Sequence, residues 1–407
     1  MIKAASTNRV LKLSDPIYLT GYISEERTLP IIGFLDDILC IINLLEVDQK
    51  IFLFVSIDVC MIDQKNVNKI KSFIQSKYGI DFDQIFLIAT HTHSGPSGLD
   101  SGDYSYAPTR EILEVTLDLI DEMLKEIMGR QVEVVADFWQ GMIQGVYDNR
   151  NCVSFDYDAS ASILRLKSIS GQNVAMFATF NCHPTVYGPN TRYATSDIIG
   201  QVRENLNSFY GTLPLIFLGA CGDVSNRHFR KANDYCEVKK VGKQIADQMR
   251  TQDFQPLEIT LNKVKTINFD LEFGSDQFID ETNKFLVRIH SELLKTPSKN
   301  QEKILISEKK ILEKRTMEKS IDIKMDCVYL DLGFLRILSI PGELDSTFGI
   351  SLKAQKNGNL LWLMTLTNGY VGYLTDEQTY GAFYESIVSP FPKGQSDKII
   401  KEIGEKI

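Results

Sequence analysis

"IFLIATHTHSGPSG", residues 85–98, runs an apolar stretch straight into two histidines one residue apart, then serine and glycine. The apolar part is strand length and carries no polar side chain on either face, the pattern of a strand buried on both sides. The chain has five histidines, and two of them, His91 and His93, stand where this strand ends. Outward from it, the runs at 50–62, 173–182, 213–221 and 360–368 read as further buried strands. The segments 64–79, 109–130, 195–211 and 234–252 space their apolar residues three and four apart and predict helices. Alternation of this kind implies an α/β fold, with a mixed or mostly parallel sheet covered by helices.

The pattern changes near residue 257. A strand-like alternation leads into a Lys- and Glu-rich stretch, about 275–320, that reads as one or two solvated helices, and 327–343 reads as another hairpin. The expected organisation is a main α/β catalytic region over 1–256, a smaller α+β subdomain over 257–335, and a return to the catalytic region over 336–407, all in one structural unit.

Composition sets limits on partners. The 407 residues are 43% hydrophobic and 24% charged, with a formal charge of −9. A negative balance argues against nucleic-acid partners, which reward a basic surface. No apolar stretch is long enough for a transmembrane helix, and residues 1–19 lack a secretory core. The seven cysteines are scattered and never form a CxxC pair, as expected for reduced thiols in the cytoplasm.

In an α/β sheet, chemistry gathers at the carboxyl ends of strands. That rule selects Asp58, His91, His93, His183, Asp223, Ser225, Glu343, Tyr370 and Tyr373. Histidine nitrogen with carboxylate is a ligand mix that zinc favours. On an extended segment the two histidines of H-x-H point to opposite faces, so that one can bind metal while the other faces substrate. A structural reading stands beside this. Strand-end histidines often only complete hydrogen bonds, GDVS makes an ordinary turn, and Tyr370, Tyr373, Tyr380 and Tyr384 can be aromatic packing. A serine nucleophile, Ser94 or Ser225, is a rival, although neither lies in G-x-S-x-G.

Several segments in chain order resemble the neutral/alkaline, non-lysosomal ceramidases. "ATHTHSGPSG" resembles their THTHSGPGG signature, "NCHPTVYGPNTRYATSDIIG" (181–200) their HPT segment, and "GACGDVSNR" (219–227) their GDVSPN. "IPGELDSTFGISLK" (340–353) is similar to their PGE helix start, "LTNGYVGYLTDEQTYGAFYE" (366–385) to their tyrosine-rich segment, and "YDNRNCVSF" (147–155) to their NRS. The chain is expected to be a stand-alone catalytic domain of that superfamily. Carried over, the resemblance implies zinc on His91, His183, Glu343 and Tyr370. His93, Arg150 and Tyr373 or Tyr380 would line the pocket at the scissile amide, and Ser225 would be functional with Asp223 in support. Asp197 would orient His183. The implied activity is zinc-dependent hydrolysis of an amide (N-acyl) bond in a small molecule, N-acylated or lipid-like. The alternatives are an ester or lactam hydrolase, an acyltransferase on the same metal site, and a non-catalytic binding protein that keeps the fold.

Overall fold

The structure, a computed structural model, describes residues 1–407 apart from 15, 101, 103–106 and 356–358, and apart from the side chains of 299 and 300. Eight strands build the larger sheet: β1 Ile2–Val10, β2 Leu39–Val47, β3 Lys50–Ile57, β4 Ile85–Ala89, β5 Val132–Met142, β6 Ser160–Ser168, β7 Asn173–Phe180 and β8 Leu215–Leu218. Their order is β8-β7-β6-β5-β1-β2-β3-β4, and Gln255–Leu257 pairs with β5 as a ninth strand. The β3–β4 and β7–β8 pairs are parallel, while the pairs between them are antiparallel. The sheet is therefore mixed. Polar residues break up β1, β5 and β6, whereas β2 is apolar except at Asn43 and Glu46.

The region after residue 257 supplies a second sheet. It contains β9 Ile259–Gly274, β10 Ser320–Gly333, β11 Leu335–Ile340 and β12 Leu360–Thr365 in that order, with β11 and β12 parallel. The 327–343 hairpin turns at Gly333, whose φ of +87° suits a residue without a side chain.

The two sheets pack face to face, with helices on both outer sides. Along β3, Leu53, Val55 and Ile57 face the helices α1 Gln64–Tyr78, α2 Ile112–Ile127, α3 Asp197–Tyr210 and α4 Tyr235–Met249. Phe52 and Phe54 point the other way, into a core shared with Leu330, Ile337 and Trp362 of the second sheet. Period-2 alternation with both faces buried explains the unbroken apolar run. Each such side chain contributes roughly 1.5–3 kcal/mol by leaving water. Trp362 Nε1 also donates to Ser162 Oγ at 2.7 Å, which joins the two sheets. The far side of the second sheet is covered by α7 Ser346–Ala354 and α9 Gln395–Lys406.

Helix ends follow their sequence signals. Asp63 and Asp234 accept backbone N–H groups at the starts of α1 and α4, and Gly79 (φ +68°) ends α1. The Lys- and Glu-rich stretch forms two helices, α5 Ser275–Leu294 and α6 Lys299–Arg315, between β9 and β10. Arg288 donates to Gly381 O (2.6 Å) and Arg315 to Val388 O (2.8 Å) beside the short helix α8 Tyr384–Val388, which fastens this hairpin over the tyrosine-rich segment. Among the described residues no helix is long and apolar enough to cross a membrane.

Candidate metal centre

The carboxyl ends of four strands, two from each sheet, meet at one point. His91 follows β4, His183 follows β7, Glu343 follows β11 and Tyr370 follows β12. Backbone pairing fixes this convergence. Ala89 N donates to Leu366 O and Asn368 N to Leu87 O, so the edge of the first sheet is sewn to the segment that leaves β12. Glu343 and Leu344 pair in parallel with Tyr373 and Leu374.

His91 Nε2 lies 3.2 Å from His183 Nε2 and 3.1 Å from Glu343 Oε2, and His183 Nε2 lies 2.8 Å from that same oxygen. His91 and His183 are 0% exposed and Glu343 is 3% exposed. The other ring nitrogen of each histidine faces a backbone carbonyl: His91 Nδ1 faces Cys60 O at 2.8 Å, and His183 Nδ1 faces Cys221 O at 2.6 Å. A carbonyl can only accept, so both Nδ1 atoms carry protons. In the neutral rings both Nε2 atoms then present lone pairs to each other and to a carboxylate. Three buried acceptors crowded together require a cation between them. A proton on His91 satisfies part of the set, whereas a metal ion satisfies all of it. Tetrahedral bonds of 2.0–2.1 Å to zinc separate ligand atoms by about 3.3–3.4 Å, close to the 2.8–3.2 Å found here. Tyr370 adds its hydroxyl, 2.7 Å from Glu343 Oε1. Cys60 is a weaker donor, because burial raises its thiol above the ordinary range.

The charges reflect this crowding. Burial would lower His91, but the Glu343 charge lifts it well above the usual imidazole value. Burial and then Arg150 lower His183 to about 4, against the pull of Glu343. Burial would raise Glu343, yet the two imidazoles hold it well below the carboxylate range. Burial, and after it the neighbouring His91 and His183, keep His93 well below the imidazole value.

His93 does not point to the opposite face from His91, contrary to the H-x-H expectation. His91 adopts φ +66°, a left-handed turn instead of an extended conformation, and this rotation brings His93 Nε2 to 3.4 Å from His91 Nε2. The His93 Nδ1–H donates to Gly21 O at 2.8 Å, and its ring packs on Tyr22 with centroids 5.0 Å apart.

A cavity of about 480 Å³ opens from this centre, and its walls include His91, His93, Arg150, Glu343, Tyr370 and Tyr373. The Arg150 guanidinium donates to Glu385 Oε1 at 2.5 Å and to the Tyr373 hydroxyl at 3.3 Å. Other candidates stand elsewhere. The Tyr380 hydroxyl donates to Glu281 of α5 at 2.9 Å, and the cavity wall carries Tyr384 in its stead. Ser225 is 2% exposed; with Val224 it pairs with Asp148–Asn149, so it builds the strand pair that carries Arg150. Asp223 accepts from Asn149 Nδ2 and from the Ser346 N–H and hydroxyl, which ties that pair to α7. Asp58 receives both terminal nitrogens of Arg203 (2.9 and 2.8 Å), a buried pair that pins α3 to the end of β3. Asp197 accepts from the N–H groups of Tyr187 and Ile198, so it shapes the loop after His183 while Cys221 O orients the ring. Ser94 is 0% exposed and accepts from Arg27.

No protein-family model matches the chain. Among solved structures, the crystal structure of neutral ceramidase from Pseudomonas aeruginosa superposes with a TM-score of 0.75 at 15% identity, over 100% of this chain and 75% of that one. A structure described as ceramidase complexed with C2 superposes with a TM-score of 0.75 at 14% identity, over 98% of this chain and 74% of the other. The chain has the neutral ceramidase fold. Sequence reasoning passed over Tyr22, Tyr384 and Glu385 as parts of this site. The last two close the quoted tyrosine-rich segment, which was the signal available for them, while Tyr22 sits in a stretch with no distinguishing pattern.

Proposed function

We propose that this protein is a zinc-dependent hydrolase of an amide (N-acyl) bond in a small molecule. The observation that carries the reading is the set of two Nε2 atoms and a carboxylate oxygen within 2.8–3.2 Å, with both tautomers fixed by carbonyls, at the head of an accessible cavity. The ceramidase fold supports it. His91, His183, Glu343 and Tyr370 would hold the metal. Zinc bound there would polarise the amide carbonyl and lower the pKa of water from about 15.7 towards about 7.

The chain's own groups do the rest. His93 stays neutral near pH 7, so its Nε2 accepts the proton of the attacking water and returns it to the leaving amine. Arg150, steadied by Glu385, and the Tyr373 hydroxyl donate to the developing oxyanion, each contributing roughly 3–4 kcal/mol to the barrier reduction. Burial of the centre withholds competing water and strengthens these interactions. Free cysteines at all seven positions support a cytoplasmic setting.

Elemental analysis tests this. About one zinc per chain is expected, lost in His91→Ala and in Glu343→Ala along with amidase activity. Equal zinc in the wild type and both variants would remove the reading.

A further inference from the structure

The formal charge of the whole chain is −9, yet the cavity wall beyond the metal centre is basic. Arg227, Arg230, Lys231 and Lys303 all line it. Among the described wall residues Glu343 is the carboxylate, and it is committed to the histidines and Tyr370. Two of the cations converge on one loop, the segment that leaves His183. Arg230 donates to Thr185 O at 2.5 Å, and Lys303, from the first turns of α6, donates to Asn190 Oδ1 at 2.7 Å. Both partners are neutral. Among the described residues none of the four side chains is ion-paired with a carboxylate. Desolvation by the wall and then the charges of Arg150 and Arg230 hold Arg227, whose side chain still reaches solvent, below its ordinary basicity, against the pull of Glu385. Like charges gathered around a cleft with low-dielectric walls repel one another and focus a positive potential into it. In an acidic protein that arrangement is stabilised when an anion enters, and arginine forks match carboxylate and phosphate oxygens.

We propose that the substrate amide belongs to an anionic molecule, one whose carboxylate or phosphate group is held by Arg227, Arg230, Lys231 and Lys303 while its acyl–nitrogen bond lies at the metal centre. This rests on the amide-hydrolase reading and narrows it from amides in general to anionic N-acyl compounds, such as N-acyl amino acids or phosphorylated N-acyl amines. Arg227 and Lys303 are then specificity residues, and they leave the bond-breaking machinery untouched.

The test pairs matched ligands on the zinc-loaded protein. N-octanoylglycine is compared with N-octanoylglycinamide, and N-octanoyl-O-phosphoethanolamine with N-octanoylethanolamine, both for turnover and for equilibrium binding by calorimetry. The anionic member of at least one pair is expected to win by roughly tenfold or more in kcat/KM and in affinity, as a charge-assisted hydrogen bond allows. The pair that shows the preference identifies carboxylate or phosphate. In Arg227→Gln and Lys303→Gln the preference should shrink through KM, with the neutral amides unaffected. Neutral ligands that bind and react as well as their anionic partners, or variants that weaken both members equally, would overturn the inference. Tighter binding of the anions with no amide cleaved would sink the hydrolase reading and leave anion selection standing.

Discussion

At Gly21 the backbone adopts φ +98°, and a Cβ built there would sit 2.8 Å from the Cα of His93. The same residue's carbonyl accepts the His93 Nδ1–H. One residue without a side chain therefore sets both the tautomer and the position of the proposed proton acceptor. Gly21→Ala is expected to cost about 1–3 kcal/mol, from the unfavourable φ and the collision together. It should lower kcat by at least an order of magnitude while zinc content stays at wild-type level, since the metal ligands are undisturbed. Urea denaturation and metal analysis on the same sample check this; a variant with full activity would show that Gly21 does not position His93. The sequence exposed His91 and His93 as a pair but not their shared direction. Direction depends on φ at His91, and a positive φ at a histidine leaves no mark in residue type. Ser225 and Tyr380 stand off the described cavity wall for a related reason: the family-like motif fixes a residue's neighbourhood, while rotamers and partners such as Glu281 decide what its side chain touches.

Helix α1 presents Lys71 inward, 4% exposed, with Nζ donating to Phe82 O at 2.9 Å in the turn that feeds β4. Burial lowers Lys71 to about 7, against raising contributions from Asp326 and Asp83. An unfolded lysine titrates near 10.4. Between about pH 7 and about pH 10.4 the unfolded chain thus binds the extra proton, so stability rises with pH across that window and is at its lowest below it. Lys71→Met removes this dependence. The variant should melt higher than the wild type at pH 6 and lose that advantage by pH 10, as read by thermal unfolding at the two values. A difference independent of pH would mean that Lys71 stays charged in the fold. The elements themselves were legible where an apolar run is unbroken or the period is 3.6, which is why β3, β4, β7, β8 and helices α1 to α4 stand near their expected places; β2 is buried on both faces as well, but Asn43 interrupts its run. Strands β1, β2, β5 and β6 were not identified. In β1, polar residues such as Ser6, Asn8 and Arg9 interrupt the apolar ones, and its pairing with β2 comes from register across the chain. Because those unmarked strands are the antiparallel ones, the sequence alone could not choose between a mixed and a mostly parallel sheet.

For the whole molecule, the candidate ligands matter because of where they come from. His91 and His183 leave the first sheet, Glu343 and Tyr370 leave the second, and 252 residues separate His91 from Glu343. The unfolded chain cannot assemble such a set, so a metal would bind the native state and shift the folding equilibrium by mass action. At a free concentration a thousandfold above Kd this is worth about 4 kcal/mol. A metal held there would also clamp the two sheets, whose shared core holds Trp362 against Ser162. Without a metal, the site must rely on a proton at His91 to separate three acceptors, which leaves His183 facing the carboxylate with no cation of its own. Chelation should therefore lower Tm by several degrees, and added zinc should restore it. In a Trp139→Phe background, which leaves Trp362 as the emitter, the fluorescence transition should move by the same amount, because opening the clamp and separating the sheets are one event. His91→Ala should melt at one temperature with or without zinc. If chelation leaves the wild-type Tm unchanged, the proton suffices, the clamp does not exist, and the four strand ends converge for packing alone.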